Sequence, residues 1–98
     1  MDEMYQRHAE LCKVFASPTR LEIVDLLRSK ELSVTALVEK TKMGQANISQ
    51  HLAIMKYKGI VTSRRSGTNV YYALADSRIV AAFDIICEVL AKKRMIGA

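Results

Sequence analysis

The 98-residue sequence has no tryptophan, a single proline, two cysteines and four glycines. Each scarcity closes off a class of protein. Two cysteines make no disulfide framework of the kind that staples small secreted folds, which points to a reducing cytoplasm. With no nuclear or organellar address in view, a bacterial or archaeal cytoplasm is the simplest expectation. One proline and a few scattered glycines provide no flexible or proline-rich linker, and neither an internal repeat nor a low-complexity tract is found. No apolar run approaches the roughly 18 residues that span a bilayer, so no membrane partner is expected. The opening MDEMYQRHAE is polar and partly acidic, unlike a secretory leader. Catalysis is also poorly provided for. No Cys-x-x-Cys stands at a helix start, and His8 and His51 have no evident catalytic partners, so the chain is read as a non-enzyme.

What is present is aliphatic and basic. Half of the residues are hydrophobic, while aromatic residues make up only 6%. The length suits one domain, residues 1–98. A domain of this size buries only about 60–65% of its unfolded surface, so an aliphatic excess suggests that a second copy covers part of it. The formal charge of +5 fits a nucleic-acid partner provided that the cations are clustered.

Hydrophobic spacing orders the chain. Met4, Leu11 and Phe15, with His8 between them, mark a first helix. Ser17 can cap a second whose first turn holds Pro18, with Leu21, Val24 and Leu27, and Ile23 and Leu26 beside them, giving its buried stripe. Ser33 caps VTALVEKT, in which Val34, Leu37 and Val38 point inward. A break at Lys42 to Gly44 leads into MGQANISQHLAIMKYKGIV, where Ile48, Leu52 and Met55 recur at helical spacing. Ala46, Gln50, Ala53 and Tyr57 then face the other way, flanked by Gln45, Asn47 and Ser49, with Gly44 as N-cap and Gly59 as stop. IVTSRR and NVYYAL alternate with period two around a Ser66-Gly67 turn, the pattern of a β-hairpin. A last helix, RIVAAFDIICEVLAKKR, begins after Asp76 or Ser77. It has one stripe at Ile79, Phe83, Ile86 and Leu90, edged by Val80 and Cys87, and a second at Ala82, Ile85 and Val89. A terminal helix that is apolar on two sides wants two neighbours, one of them in another subunit.

This order is that of a winged helix-turn-helix with extra helices at both ends: mainly α with a β-hairpin wing (α+β). In such a fold the second helix of the motif enters the major groove. Short amide and hydroxyl side chains suit that task, because amides pair with adenine and longer chains would hold the backbone off the groove floor. An ordinary capped surface helix also favours small polar residues in its first turns. The downstream hairpin favours the reading helix. It carries Arg64 and Arg65 beside Gly67, with Ser63, Ser66, Thr68 and Asn69 alongside, the chemistry of a phosphate grip. A paired arginine also serves as a guard on an edge strand. Lys42, Lys56 and Lys58 extend the positive surface around the reading helix, whereas Asp2, Glu3, Glu10, Glu22 and Asp25 lie elsewhere.

The segments ELCKVFASPTRLEIVDLL and ELSVTALVEKTKMGQANISQHLAIMKYKGIVTSRRSGTNVYYAL, with the closing helix, resemble the ArsR/SmtB family of homodimeric repressors. The similarity covers nearly the whole chain. It is most specific in SPTRLEIVDLL, ISQHLAIMKYKGIV and the R-x-G-x-x-V-Y-Y-x-L wing. The resemblance implies a homodimer joined through its first and last helices, bound to a double-stranded DNA operator and released by an inducer. On that pattern Gln45, Ala46, Ser49, Gln50 and His51 match recognition-helix positions, and Arg64, Arg65 and Gly67 match the wing. His51 borders the core face, so packing or a phosphate bond suits it better than base reading.

The family's metal sites are not matched. ELSVTAL lacks the cysteines that thiolate sensors carry there, and DSRIVAAFDIICEVL lacks the Asp-x-His…His-x-x-Glu arrangement. Arg78 stands at the first such histidine position, and a guanidinium does not ligate a cation. Cys12 and Cys87 remain, on helices expected to meet at the dimer interface, with His8 one turn before Cys12 and Asp84 and Glu88 beside Cys87. Three readings stand: a dithiol switch closed by oxidation or by a polysulfide, an arsenite or soft-metal site assisted by His8, and a pair of small buried hydrophobes that sense nothing. The expected function is a sequence-specific transcriptional regulator, a repressor released by an inducer. The alternatives are a winged-helix protein-interaction module and an effector-independent DNA-binding protein.

Overall fold

The computed structural model describes residues 2–93. The chain runs α1 (Glu3–Val14), α2 (Pro18–Leu26), β1 (Leu32–Ser33), α3 (Val34–Thr41), α4 (Gln45–Tyr57), β2 (Val61–Ser66), β3 (Asn69–Leu74) and α5 (Arg78–Lys93). This is the expected winged helix-turn-helix order. Arg94, the last residue of the helix expected from sequence, lies outside the described residues.

Local chemistry sets the boundaries. Asp2 accepts a hydrogen bond from the Met4 amide at the start of α1. Ser17 accepts from the Arg20 amide, and Pro18 occupies the first position of α2, where no backbone donor is needed. Ser33 accepts from the Ala36 amide to open α3. At the other end of α3, Lys42 turns left-handed with φ 62°, which produces the break before the next helix. The buried Thr41 hydroxyl donates to the Leu37 carbonyl and accepts from the Met43 amide, so this turn leaves no polar atom stranded. α4 ends in a Schellman motif. Gly59 has φ +80°, its amide bonds the Lys56 carbonyl, and the Ile60 amide reaches back to the Met55 carbonyl.

The core lies between α2, α3, α4 and the sheet. It contains Ile23, Val24, Leu27, Leu37, Ile48, Leu52, Met55, Ile60 and Val61, with Val14 and Leu32 at its margins. Of the stripe expected on α2, Ile23, Val24 and Leu27 are buried, while Leu21 and Leu26 are half-buried. The wing is a tight hairpin in which Ser66 pairs with Asn69. Ser66 therefore belongs to the strand, and the turn is Gly67-Thr68, one residue later than the sequence pattern suggests. Gly67 has φ +62° and Thr68 does not share the positive sign, as in a II′ turn. A third strand was not foreseen: β1 joins the outer side of β3, giving the order β1-β3-β2. Two residues carry too little periodicity to announce a strand.

The terminal helices differ from a self-sufficient core. On α1 only Val14 is buried, and Met4, Tyr5 and Leu11 are exposed. On α5, Ile79 and Val80 pack against the core and Phe83 is half-buried. Ile85 and Ile86 are 58% and 60% exposed, with Leu90 also open. The stripe expected to be buried along α5 is thus covered by its own chain only over its first half.

Replacing Leu52 with alanine should destabilise the fold by about 2–5 kcal/mol in urea unfolding at fixed protein concentration, through reduced transfer energy and the cavity left behind. A loss below about 1 kcal/mol would mean that α4 is not anchored as described.

Candidate nucleic-acid interface

α4 is held by one face and presents the other. Ile48, Leu52 and Met55 are each fully buried, at 0% exposure. Side chains half a turn away therefore point outward, and Gln45, Ala46, Asn47, Ser49, Gln50, Ala53, Lys56 and Tyr57 are all exposed. The N-cap Gly44 has no side chain with which to satisfy the first-turn amides, so these donors face outward as well. Asn47 has a local tie, because its amide nitrogen lies 3.8 Å from the Met43 sulfur. Ser49, Gln50 and Gln45 make no such side-chain bond among the described residues, and Ala46 and Ala53 add no bulk beside them.

His51 occupies a different environment. It is half-buried, and its Nδ1 accepts a hydrogen bond from Arg20 Nε at 3.1 Å. Burial first, and the neighbouring guanidinium second, push its pKa below the ordinary value. The imidazole is thereby neutral near pH 7. This agrees with its placement at the edge of the core face and identifies the partner, Arg20, which nothing in the sequence pattern singles out.

The two wing arginines are not equivalent. Across the hairpin Arg64 pairs with Tyr71 and Arg65 with Val70, so their side chains leave opposite faces of the sheet. Arg64 folds back onto the body of the chain. Its Nε lies 2.9 Å and 3.1 Å from the two Glu31 carboxylate oxygens, its Nη2 also donates to Glu31, and its guanidinium sits 4.9 Å from the Tyr71 ring centre. This contact lowers the Glu31 pKa and raises that of Arg64. Arg65 is exposed and has no side-chain bond among the described residues. The two residues expected to grip together thus stand in different settings: Arg64 is paired with Glu31, whereas Arg65 is outside any ion pair among the described residues.

The lysines divide similarly. Lys58, expected to extend the positive surface, lies 3.6 Å from Glu10 of α1. Lys13, then Lys58, lower the Glu10 pKa. Lys56 and Lys42 are exposed and outside these pairs. The wing tip closes on α4: Gln45 shares a shallow cleft with Ser33, Thr35, Thr68 and Asn69. Gly67, at the turn, is exposed beside them.

The residues expected from sequence to meet an effector are less organised. Cys12 and Cys87 are both free and exposed in the single chain, so burial of either requires the dimer interface in which the sequence reading places them. No group of three or more His, Cys, Asp or Glu side chains able to hold a metal ion occurs among the described residues, so one chain does not assemble His8, Cys12 and Cys87 into such a site. Asp84, expected to flank Cys87, is instead held by Arg28 of the α2–β1 connection at 2.8 Å and 3.1 Å. Arg28 also contacts Asp25, and Arg78 folds onto Asp76.

The comparisons with known proteins agree with this geometry. Residues 17–63, from the cap of α2 into β2, match the model for bacterial regulatory proteins of the arsR family. An HTH-type transcriptional regulator of Methanocaldococcus jannaschii is 37% identical over 87 residues, covering 88% of this chain and 98% of that protein. The chain belongs to the ArsR family. It is a winged helix-turn-helix transcriptional regulator. The transcriptional repressor SmtB of Mycobacterium tuberculosis is 40% identical over 77 residues, 79% of this chain, but the match spans only 57% of that repressor. Among solved structures, HlyU from Vibrio cholerae superposes with a TM-score of 0.82 at 28% identity, covering 93% of this chain and 99% of that one. The homodimeric winged helix-turn-helix DNA-binding domain of Mb0332 from Mycobacterium bovis gives 0.80 at 30% identity, covering 98% and 88%. Among the described residues of this ArsR-family chain, no helix is long and apolar enough to cross a membrane.

The division of the wing gives a direct test. Arg65→Ala should weaken binding to all DNA sequences and reduce the salt slope by about 1 for each phosphate no longer gripped. Arg64→Ala should leave the slope nearly unchanged. Equal slope reductions from the two substitutions would contradict the assignment of Arg64 to the body of the chain.

Proposed function

We propose that residues 1–98 act as one DNA-binding domain, a repressor that binds an operator as a homodimer in the cytoplasm and leaves it when an inducer binds. The observation that carries this reading is the two-sided α4: a helix pinned by three fully buried residues while Gln45, Ser49 and Gln50 stand outward on an alanine-flanked face. A structural surface helix does not need amides and hydroxyls there; a helix that enters a groove does. In this reading Gln45, Asn47, Ser49 and Gln50 read base edges or phosphates, and Ala46 permits close approach. Lys56 and Arg65 add phosphate contacts, and Gly67 lets the wing turn tightly. The exposed Met4, Tyr5, Leu11, Ile85, Ile86 and Leu90 of α1 and α5 supply the dimer face. That leaves both copies of α4 free for one duplex.

The inducer reading rests on Cys12 and Cys87, one on each of those terminal helices and both exposed. Dimerisation would bring thiols from α1 and α5 into the same interface. Two of them could then lose two electrons and two protons to a polysulfide or another sulfur oxidant, or together bind arsenite or a soft cation with His8 nearby. Either event would alter the packing that sets the separation of the two reading helices.

A double substitution of Ser49 and Gln50 to alanine should lower affinity for the operator more than affinity for random DNA, measured by gel shift at several salt concentrations. Equal losses on both would remove base reading from α4. For the inducer, Cys12→Ser and Cys87→Ser should each abolish release of DNA by polysulfide or arsenite. Normal release from both variants would leave an effector-independent DNA-binding protein.

A further inference from the structure

The first turn of α2 with its cap, Ser17-Pro18-Thr19-Arg20, is remote in sequence from α4 yet touches both its approach and its second turn. Thr19 Oγ1 donates to the Met43 sulfur at 3.6 Å, just before α4 begins. Arg20 Nε donates to His51 Nδ1 at 3.1 Å, in the second turn. The same guanidinium is fixed from its other side, because Nη1 donates to the Val14 carbonyl at 3.3 Å at the end of α1. The Arg20 amide is itself held by the Ser17 hydroxyl at 3.3 Å. Arg20 is thus held on α2 against the end of α1 and against α4, with its Nε–H aimed at one imidazole nitrogen.

That contact dictates the state of the ring. An imidazole nitrogen that accepts a hydrogen bond carries no proton, so the hydrogen of the neutral ring lies on Nε2. No described side chain or backbone group bonds Nε2, and no unpartnered side-chain nitrogen or oxygen is buried among the described residues. Nε2 therefore reaches solvent on the same helix as the exposed Ser49 and Gln50. We infer that Arg20 is a positioning residue: it holds His51 as a neutral imidazole with Nε2–H turned outward, as a donor to a phosphate of the DNA backbone. The inference deepens the operator reading and rests on it.

The surroundings favour this state. From α2 the charged group facing the ring is Arg20 itself, and from the end of α1 only the Val14 carbonyl enters the cluster, through Arg20. On α4, from Asn47 to Met55, His51 is the only ionisable side chain. Protonation would remove the acceptor at Nδ1 and set a second cation against the guanidinium. His51 accordingly stays neutral below the ordinary histidine pKa, with burial and then Arg20 as the causes. The linkage sign follows. The contribution is intact above about pH 6.5 and is lost as pH falls below it toward the lower folded value. A neutral donor also adds no counterion release, so its loss leaves the salt slope unchanged.

The test combines imidazole 15N NMR of the full chain with DNA binding between pH 8 and 5.5, for the natural protein, Arg20→Met and His51→Gln. In the natural protein His51 should show the Nε2–H tautomer and remain neutral below pH 6.5. Arg20→Met should give mixed tautomers, a titration raised toward the ordinary histidine value but still below it because burial remains, and binding weakened about three- to tenfold per half-site at unchanged salt slope. His51→Gln, whose amide can accept from Arg20 and still donate outward, should retain most of the affinity and lose the decline at low pH. If Arg20→Met does not fold, the tautomer of the natural protein and the pH profile of His51→Gln still decide the matter. An Nδ1–H tautomer, affinity that rises as His51 titrates, or a salt slope that falls with Arg20→Met would each overturn the positioning role. A natural protein that binds no DNA at any pH would instead overturn the operator reading.

Discussion

The burial of Ile48, Leu52 and Met55 is the constraint on which the rest depends. Three apolar side chains one turn apart along α4 are packed to zero exposure, and interiors of that density do not allow a helix to rotate freely. Fixing one face fixes the other, so Gln45, Ser49 and Gln50 face outward because the core leaves them no alternative. The caps serve the same end. Lys42 breaks the chain before α4, and the Schellman turn at Gly59 sends it directly into β2. The wing therefore starts from the base of the reading helix, and its tip returns to the cleft beside Gln45.

Electrostatics then sorts the cations. Glu31 takes Arg64, Glu10 takes Lys58, and Asp25 with Asp84 takes Arg28. Exposed ion pairs of this kind contribute little to stability, typically about 0–1 kcal/mol. Their effect here is positional: they tie certain cations to the body of the chain. Arg65 and Lys56 lie outside those pairs, at the wing and on α4. The positive surface offered to a phosphate is accordingly narrower than the basic composition suggests.

Much of this was legible in the sequence. Helical spacing located α4, Ser17 and Ser33 announced two helix starts, and period-two alternation around Gly67 marked the hairpin. Those signals are local, and local chemistry enforces them. The features that escape such reading join residues distant in sequence. β1 exists only because β3 offers it an edge. Glu31 meets Arg64 only after the sheet forms, and Arg20 meets His51 only after α2 and α4 pack. The SPTR motif stands out in sequence for its cap and its proline, but the role of its arginine becomes visible only in three dimensions. The apolar stripes of α5 are evident from spacing, yet the chain covers only the first half of the one at Ile79 and Phe83 and leaves Ala82 and Ile85 of the other exposed. Periodicity reports that a face is apolar without saying what covers it.

The exposed aliphatic faces of α1 and α5 and the two-sided α4 together make the central claim a geometric one: two copies clasp through their terminal helices and present two reading helices to one face of a duplex. Hydroxyl-radical footprinting on the operator tests this most directly. The account predicts two protected windows on the same face, centred about one helical turn apart, roughly 10 base pairs. A single window at saturation, or two windows on opposite faces of the duplex, would contradict it.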